Sequence, residues 1–311
     1  MGTFFSVVAY GHDYAYLDET IHRSFQEVDR LEGMMSHYRR ESELCRINRD
    51  AHDRAVAVSA EMFQLLEDAQ RFSEETGGTF DITIGPLMKA WGFFRGWGRM
   101  PDQDELDQAM CGIGYRHVRL DAGTRTVKLD APGIELNLGA MGKGYAVDRI
   151  IGILREAGIE QALVSSGTSS IYALGAPPGA EGWTVSVCDP FDRRRTACDV
   201  RLKNLSLSVS GDCEKFFEVG GRIYSHIMDP RTGRPAEDMV MAVAIAPTVT
   251  ESDVLSTAFF VGGIEGTRMA LDRHSNVTAL LYIPRRSDHT FEQVVMESSV
   301  KTLGADRIAR W

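Results

Sequence analysis

Cysteine is scarce and unpatterned in this chain of 311 residues: Cys45, Cys111, Cys188, Cys198 and Cys213 are odd in number, scattered, and form no C-x-x-C. That weighs against a disulfide framework or a thiolate zinc site. Basic charge is in deficit, with 34 Lys and Arg against 44 Asp and Glu and a net charge of −10. No basic stripe with interleaved aromatics is present either, which argues against a general nucleic-acid binder. A phosphate site can be locally basic, so a nucleotide ligand stays open. No apolar run reaches ~18 residues, so no membrane span is expected. No repeat, low-complexity tract or Pro/Gly/Ser-rich linker breaks the chain. Hydrophobic content of 43% and charged content of 25% are ordinary for a soluble globular protein. The length suits one large domain, or two lobes, with ample core.

Glycine is concentrated where the rest of the chain is organised. In Asn137-Leu138-Gly139-Ala140-Met141-Gly142-Lys143-Gly144-Tyr145-Ala146-Val147-Asp148, three glycines fall within six residues. A strand-like run, Ile134 to Leu138, precedes the turn. A helical pattern follows, with Val147, Ile150, Ile151, Leu154 and Ala157 on one face and Gly158 as its C-terminal cap. A glycine turn feeding a helix N-terminus makes an anion site, because backbone N–H groups and the helix dipole both favour negative charge. Lys143 adds a mobile cation. The stretch is not a P-loop: Asn137 stands where the first glycine belongs and Gly144 where the hydroxyl belongs. A plain glycine turn between strand and helix reads equally well from this stretch alone.

Along the chain, residues 3–10 are strand-like. Leu17, Ile21, Phe25, Val28 and Leu31 keep a helical period over 18–33, and Met62, Leu65, Leu66, Ala69 and Phe72 mark a second helix ended by Gly77-Gly78. Residues 34–48 read as a loop with a short helix. Gly85-Pro86 reads as a turn, 101–111 as a short helix, and 117–120 with 126–129 as a hairpin. Trp91, Phe93, Phe94 and Trp97 form an aromatic cluster suited to core or lobe contact. From 162 onward strands dominate: 162–165, 171–174, 183–188, 199–202, 206–209, 222–226, 240–245 and 277–283. Helices at 251–260 and 263–272 interrupt them. Many strands with helices grouped between them indicate an α+β fold.

Three further stretches carry chemistry-bearing residues. Gly78-Thr79-Phe80-Asp81-Ile82-Thr83-Ile84-Gly85-Pro86-Leu87 leads to Trp91-Gly92-Phe93. Tyr224-Ser225-His226-Ile227-Met228-Asp229-Pro230-Arg231-Thr232-Gly233 is dense in polar residues. Glu251-Ser252-Asp253-Val254-Leu255-Ser256-Thr257-Ala258 follows Ala246-Pro247-Thr248. Together with the glycine turn, with Met1-Gly2-Thr3, and with Met35-Ser36-His37-Tyr38 before Ser42-Glu43-Leu44 and Ile47-Asn48, these blocks resemble the ApbE family, the FAD:protein FMN transferases. The resemblance runs almost the whole chain and keeps the family order. It implies an α+β architecture related to the T-fold, with a single ApbE-like domain over 1–311, mixed and antiparallel sheets, and a ligand cleft between two lobes.

The residues themselves leave alternatives. Asp253 and Thr257, spaced i, i+4, put a carboxylate and a hydroxyl on one helix face, hard ligands that suit Mg²⁺. The same carboxylate also fits a capping box over Thr250 to Asp253. The resemblance implies the metal role for Asp253 and Thr257, with the Ala140 carbonyl as third ligand. His226 reads either as a brace of its turn or, beside Asp229 and Thr232, as a general base for a weak alcohol nucleophile, with Pro230 and Gly233 rigidifying the turn. Tyr38 reads as core or as a wall of the ligand site. Asp81 reads as a turn residue or as a ligand contact after the glycine pair. Ser210-Gly211 and Glu214-Lys215-Phe216-Phe217 resemble the family's lead-in to this region. Cys213 stands there where relatives often have tyrosine, and no second His/Asp pair supports it as a thiol nucleophile.

The resemblance further implies that Met1, Tyr38, Thr79, Phe80, Asp81, Asn137, Lys143 and Met228 contact the flavin nucleotide. Two positions depart from the pattern: Asn137, where relatives often have Asp, and Gly167-Thr168, where they usually carry Gly-Gly. The implied activity is Mg²⁺-dependent transfer of FMN from FAD to a Thr or Ser hydroxyl of an acceptor, a flavin-carrying subunit of a membrane redox complex, with release of AMP. Hydrolysis of FAD to FMN and AMP, or flavin binding with little turnover, are the other outcomes the residues allow. No secretory leader or lipid-attachment signal is visible. Many relatives of this kind are lipoproteins facing the periplasm, and both that placement and a cytoplasmic one stay open.

Overall fold

The structure, a computed structural model, describes residues 3–94, 96, 98–211, 216–219, 222–285 and 290–299. Met1, Trp97 and Cys213 lie outside the described residues. In chain order the elements are β1 (Phe5–Ala9), α1 (Tyr14–Met35), α2 (Glu43–Asp50), β2 (Val56–Ala57), α3 (Ala60–Glu75), α4 (Gly85–Ala90) and α5 (Gln103–Met110). A 3₁₀ turn, Tyr115–His117, leads to β3 (Val118–Asp121), β4 (Thr126–Leu129) and α6 (Gly142–Glu156). Then come β5 (Ala162–Ser166), β6 (Ser170–Leu174), β7 (Trp183–Cys188), β8 (Thr196–Leu202), β9 (Leu205–Gly211), β10 (Phe216–Val219) and β11 (Arg222–Ser225). The chain closes with β12 (Met228–Asp229), β13 (Arg234–Pro235), β14 (Met241–Ala246), α7 (Val249–Leu271), β15 (Thr278–Pro284) and β16 (Phe291–Glu297).

A seven-stranded sheet in the order β1-β5-β6-β9-β14-β15-β16 is the frame, with antiparallel pairing throughout. Strands join this sheet in sequence order, and the chain leaves it for three excursions. The first, between β1 and β5, carries α1 to α6 and the three-stranded β2-β4-β3 sheet. The second, between β6 and β9, is the β7–β8 hairpin. The third, between β9 and β14, carries β10 to β13 and His226. The fold is α+β, as composition and pattern indicate.

Side-chain size decides which face of the sheet takes which layer. Along β14, Ala242, Ala244 and Ala246 face α7, while Met241, Val243 and Ile245 face the β7–β8 hairpin. The helix-facing alanines pair in register with Ser210, Ser208 and Ser206 of β9. This strip of small residues lets α7 lie close, and hydroxyl contacts cross the interface: Ser206 and Ser208 to Ser252 at 2.9 and 2.8 Å, and Ser210 to Ser256 at 2.9 Å. Ser206, Ser208, Ser252 and Ser256 are all buried, so each hydroxyl has to find a partner inside the protein. Leu255, Phe259 and Phe260 supply the apolar part of the same contact. On the opposite face Trp183, Val185, Val200 and Leu202 of the hairpin pack on Val243, Leu280 and Tyr282.

Helix α6 lays Val147, Ile150, Ile151 and Leu154 on Ala162, Val164, Tyr172 and Leu174, the face its period indicates. The main core of the first excursion gathers Leu31, Leu44, Ile47, Met62, Leu65 and Leu66 around Val127, Leu129 and Ile134.

Several local expectations are corrected. Ile134 to Leu138 is extended but is not a sheet strand. Its ties are a single parallel bridge from Glu135 to Ile84, and bonds from Asn137 N–H to the Ile82 carbonyl (2.7 Å) and from Leu136 N–H to Asn48 Oδ1 (2.8 Å). Gly85-Pro86 opens α4 rather than forming a free turn, as proline tolerates the first helical turn. Helix α7 is capped by Thr248, whose side chain accepts from Glu251 N–H, so the capping box over Thr250 to Asp253 does not form. The break between 260 and 263 survives as Gly263, at φ 61° and ψ −160° inside α7, a conformation that glycine alone takes without strain. Strand β16 is not foreshadowed by the sequence pattern. Its side chains are half-buried to exposed, on the sheet edge.

Two glycines of α6 behave oppositely. A Cβ on Gly144 would fall inside contact distance of the Val249 carbonyl oxygen and 2.9 Å from Asp253 Cβ, whereas one on Gly152 would meet nothing within 4 Å. Gly152→Ala is therefore expected to stabilise by about 0.5–1 kcal/mol, the helix-propensity difference. Gly144→Ala gains the same propensity but is expected to lose a net ~1–3 kcal/mol to overpacking. Chemical denaturation of both variants measures this, and equal shifts would show that α6 and α7 are not in contact at Gly144.

Candidate functional site

The three excursions converge on one cavity of about 570 Å³. The first brings His37, Tyr38, Thr79, Phe80, Asp81, Asn137, Ala140, Gly142 and Lys143 to its wall. The second brings Arg193, the third His226, Met228 and Pro230, and the sheet with α7 adds Ser210, Asp253 and Thr257. Every residue to which the resemblance gives a flavin or metal role, apart from Met1, lines this one space, as does His226, whereas Asp229 and Thr232 do not. That size falls within the range of small-molecule sites.

The anionic end is built by helix α6. Its N-terminus carries no side-chain cap of its own. Gly144 N–H donates to Asp253 Oδ2 at 3.0 Å, and Gly142 N–H to the Leu138 carbonyl at 2.8 Å. Lys143 Nζ donates to Ser169 Oγ at 2.8 Å, which holds the cation beside the first turn of α6. Ser169 belongs to the turn where the family's Gly-Gly pair is absent. Thr168, at the departing position, lines the cavity beside Ser169. Asn137, the other departure, accepts from Gly139 N–H through Oδ1 at 2.8 Å. Aspartate would form the same Asx turn, so the fold of the turn tolerates either residue.

Asp253 is buried, and both its oxygens are engaged: Oδ2 by Gly144 and Oδ1 by Ser170 Oγ at 2.9 Å. Thr257 Oγ1 lies 3.3 Å from the Asp253 carbonyl and 3.2 Å from Ser210 Oγ. Among the described residues no three His, Cys, Asp or Glu side chains gather into a protein-only cage. Asp253, Thr257 and Ala140 all line this cavity, and a carboxylate, a hydroxyl and a backbone carbonyl are the donor types that fit a hard cation taking its remaining ligands from water and substrate phosphate, the habit of Mg²⁺.

Tyr38 is not core. Its ring is 48% exposed and packs at 3.9 Å on His37 and 5.5 Å from Phe94, in an aromatic group at the cavity wall. Phe80 and Met228 are buried, and the cavity exposes only part of their packing surface. Thr79 Oγ1 donates to the Thr76 carbonyl at 3.0 Å. Asp81 is occupied structurally, with Oδ1 accepting from Thr83 N–H (2.8 Å) and Thr83 Oγ1 (2.7 Å) and Oδ2 from Tyr115 N–H (2.8 Å). Burial pushes its carboxyl above the ordinary value, against the lowering effect of these bonds.

His226 follows β11 and is held from both sides. Ser225 Oγ accepts from Ile227 N–H at 3.1 Å, and Ala236 N–H reaches the Ile227 carbonyl at 2.9 Å. Phe93 stands edge-on to the imidazole at 6.3 Å. Downstream, the Asp229 carboxylate binds Arg231 through both oxygens at 2.9 Å, and Trp91 Nε1 donates to the Gly233 carbonyl at 2.9 Å. The rigid turn expected from Pro230 and Gly233 is present, but Asp229 serves Arg231 within it.

The model of the ApbE family matches residues 1–281. The chain belongs to the ApbE family. Among its relatives, an FAD:protein FMN transferase of Treponema pallidum is 35% identical over 283 residues, covering 85% of this chain and 78% of the relative. One of Klebsiella pneumoniae is 31% identical over 288 residues, covering 92% and 88%. An ApbE protein of Thermotoga maritima superposes with a TM-score of 0.84 at 29% identity, covering 96% of this chain and 94% of the other. The flavin transferase ApbE of Vibrio cholerae does so with 0.82 at 27%, covering 96% and 95%. Arg193 is a charged cavity residue that the ApbE motifs did not reveal. It sits in the exposed β7–β8 loop, in a run of three arginines that reads as a solvated turn.

Proposed function

We propose that this chain is an Mg²⁺-dependent FAD:protein FMN transferase, acting as a single ApbE-like unit over 1–311. The observation that carries the reading is the convergence, on one cavity, of a helix N-terminus with its lysine, a carboxylate–hydroxyl pair, and a histidine. FAD occupies the cavity, its flavin half against Tyr38, Thr79, Phe80, Asp81, Asn137 and Met228. Lys143 and the positive end of the α6 dipole hold diphosphate charge. Asp253, Thr257 and the Ala140 carbonyl would hold Mg²⁺, whose chemistry there is to neutralise charge on the diphosphate and the leaving group. His226 takes the proton from a Thr or Ser hydroxyl of the acceptor. That oxygen bonds to the phosphorus of the FMN half, the bond from that phosphorus to the bridging oxygen breaks, and AMP leaves with the electron pair. Phosphoryl transfer of this kind depends mainly on positioning and charge stabilisation. The acceptor class is a flavin-carrying subunit of a membrane redox complex. In this chain no helix among the described residues is long and apolar enough to cross a membrane.

The deciding experiment incubates the purified chain with FAD and Mg²⁺, with and without an acceptor protein. AMP release and the acceptor's mass are followed together. Transfer is expected to give AMP only with acceptor, matched by an FMN-sized mass increase. AMP without acceptor would make the chain a hydrolase of FAD, and tight binding without AMP would make it a flavin carrier. Either result overturns the transferase reading.

A further inference from the structure

Helices α6 and α7 cap each other. Asp148, on the second turn of α6, accepts from Val249 N–H (2.8 Å), Thr250 N–H (2.8 Å) and Thr250 Oγ1 (2.6 Å), the opening groups of α7. Asp253, on the second turn of α7, accepts from Gly144 N–H in the first turn of α6. The pairs 148–249 and 144–253 run antiparallel, so each helix places a carboxylate at the positive end of the other's dipole. The spacing is set by contact, since Gly144 has no room for a Cβ against the Val249 carbonyl. Further along α7, Ser252 and Ser256 bind the sheet through Ser206, Ser208 and Ser210. These bonds fix α7 to the sheet, and none of them reaches α6. What Asp148 holds is the first turn, at Val249 and Thr250.

We propose that Asp148 is a positioning residue for the cation and phosphate site. By clamping the first turn of α7 against α6, it sets the stance of Asp253 over Gly144 and so the distance between the carboxylate and the first turn of α6. Asp148 itself is absent from the cavity wall. The inference rests on the reading of the cavity as the FAD and Mg²⁺ site. Residues that orient a metal ligand typically change metal affinity 10–100-fold when altered.

The test uses Asp148→Asn and Thr250→Val in the full chain. Flavin fluorescence gives FAD affinity across a Mg²⁺ titration, and thermal melting is recorded beside it. The asparagine side chain keeps an acceptor for Val249 N–H but can turn an amide donor toward Thr250, whereas the valine substitution removes only the hydroxyl donor. Asp148→Asn is expected to raise the Mg²⁺ midpoint roughly tenfold or more, and Thr250→Val to raise it by a smaller factor. FAD affinity without Mg²⁺ is expected to stay close to wild type in both. Unchanged midpoints with lowered melting temperatures would overturn the proposal and leave Asp148 a structural cap. If Asp148→Asn does not fold, Thr250→Val decides alone, and an unchanged midpoint there overturns it. A wild-type chain whose FAD affinity ignores Mg²⁺ and that releases no AMP would instead bring down the underlying reading, and this inference with it.

Discussion

Asp253→Ala is expected to abolish Mg²⁺-dependent AMP release from FAD, a loss of ~10²-fold or more, while the protein still folds. The deletion leaves two buried donors, Gly144 N–H and Ser170 Oγ, without their acceptor, at about 1–3 kcal/mol each, so the melting temperature should fall while the remaining α7 contacts keep the fold. Alanine alone cannot separate chemistry from architecture, since Asp253 also caps α6. Asp253→Asn can. The amide oxygen still accepts from Gly144 N–H, and the Ser170 hydroxyl can rotate to accept from the amide nitrogen. The asparagine variant is therefore expected to recover most of the lost melting temperature and almost none of the turnover. Turnover within a few-fold of wild type in Asp253→Asn, at an unchanged Mg²⁺ midpoint, would reduce Asp253 to a cap.

The double role of Asp253 shows where sequence reasoning reaches and where it stops. The i, i+4 spacing with Thr257 places both groups on one face, because helix geometry is local. The alternative reading, a cap, is right in kind but attaches to the wrong helix. The N–H it serves lies on Gly144, 109 positions away, and no periodicity encodes that pairing. Gly144 is a similar case. A Gly-x-Gly turn before a helix suggests an anion cradle, yet the physical demand on this glycine is the Val249 carbonyl of another helix.

The alternating residues of β14 and β9 announce strands, but not that the alanines and serines would share one face as the bed of α7. That depends on register, which sequence order leaves open. Tyr38 stays ambiguous in the sequence because an aromatic ring suits a core and a ligand wall equally, and only exposure separates them. Arg193 is invisible there, because the hairpin that delivers it is placed by Trp183, Val185 and Leu202 against the sheet, not by anything near the arginine. The site blocks are legible because each is a turn or a helix terminus whose chemistry sits in consecutive residues.

His226→Asn is expected to lose roughly 10²–10⁴-fold in the transfer step, the usual worth of a positioned general base. FAD affinity is expected to change little, since a base contributes mainly in the transition state. Imidazole is the side chain whose ordinary titration falls between pH 5 and 8. The base must be neutral to accept the hydroxyl proton, so the wild-type rate rises with pH through the titration of His226 and then levels. The asparagine variant should lack that limb. The surroundings favour this outcome over a brace. The turn after His226 is already held by the Asp229–Arg231 pair, by the Trp91 bond to Gly233 and by the Ile227–Ala236 bond. None of these passes through the imidazole, so all of them stay in place when the ring is replaced. Were His226 only a brace, its loss would lower FAD affinity and melting temperature together, and the residual activity would keep the wild-type pH profile. Binding, melting and pH–rate curves on this one variant separate the two. A protein that binds FAD poorly yet retains the pH limb would remove His226 from the chemistry.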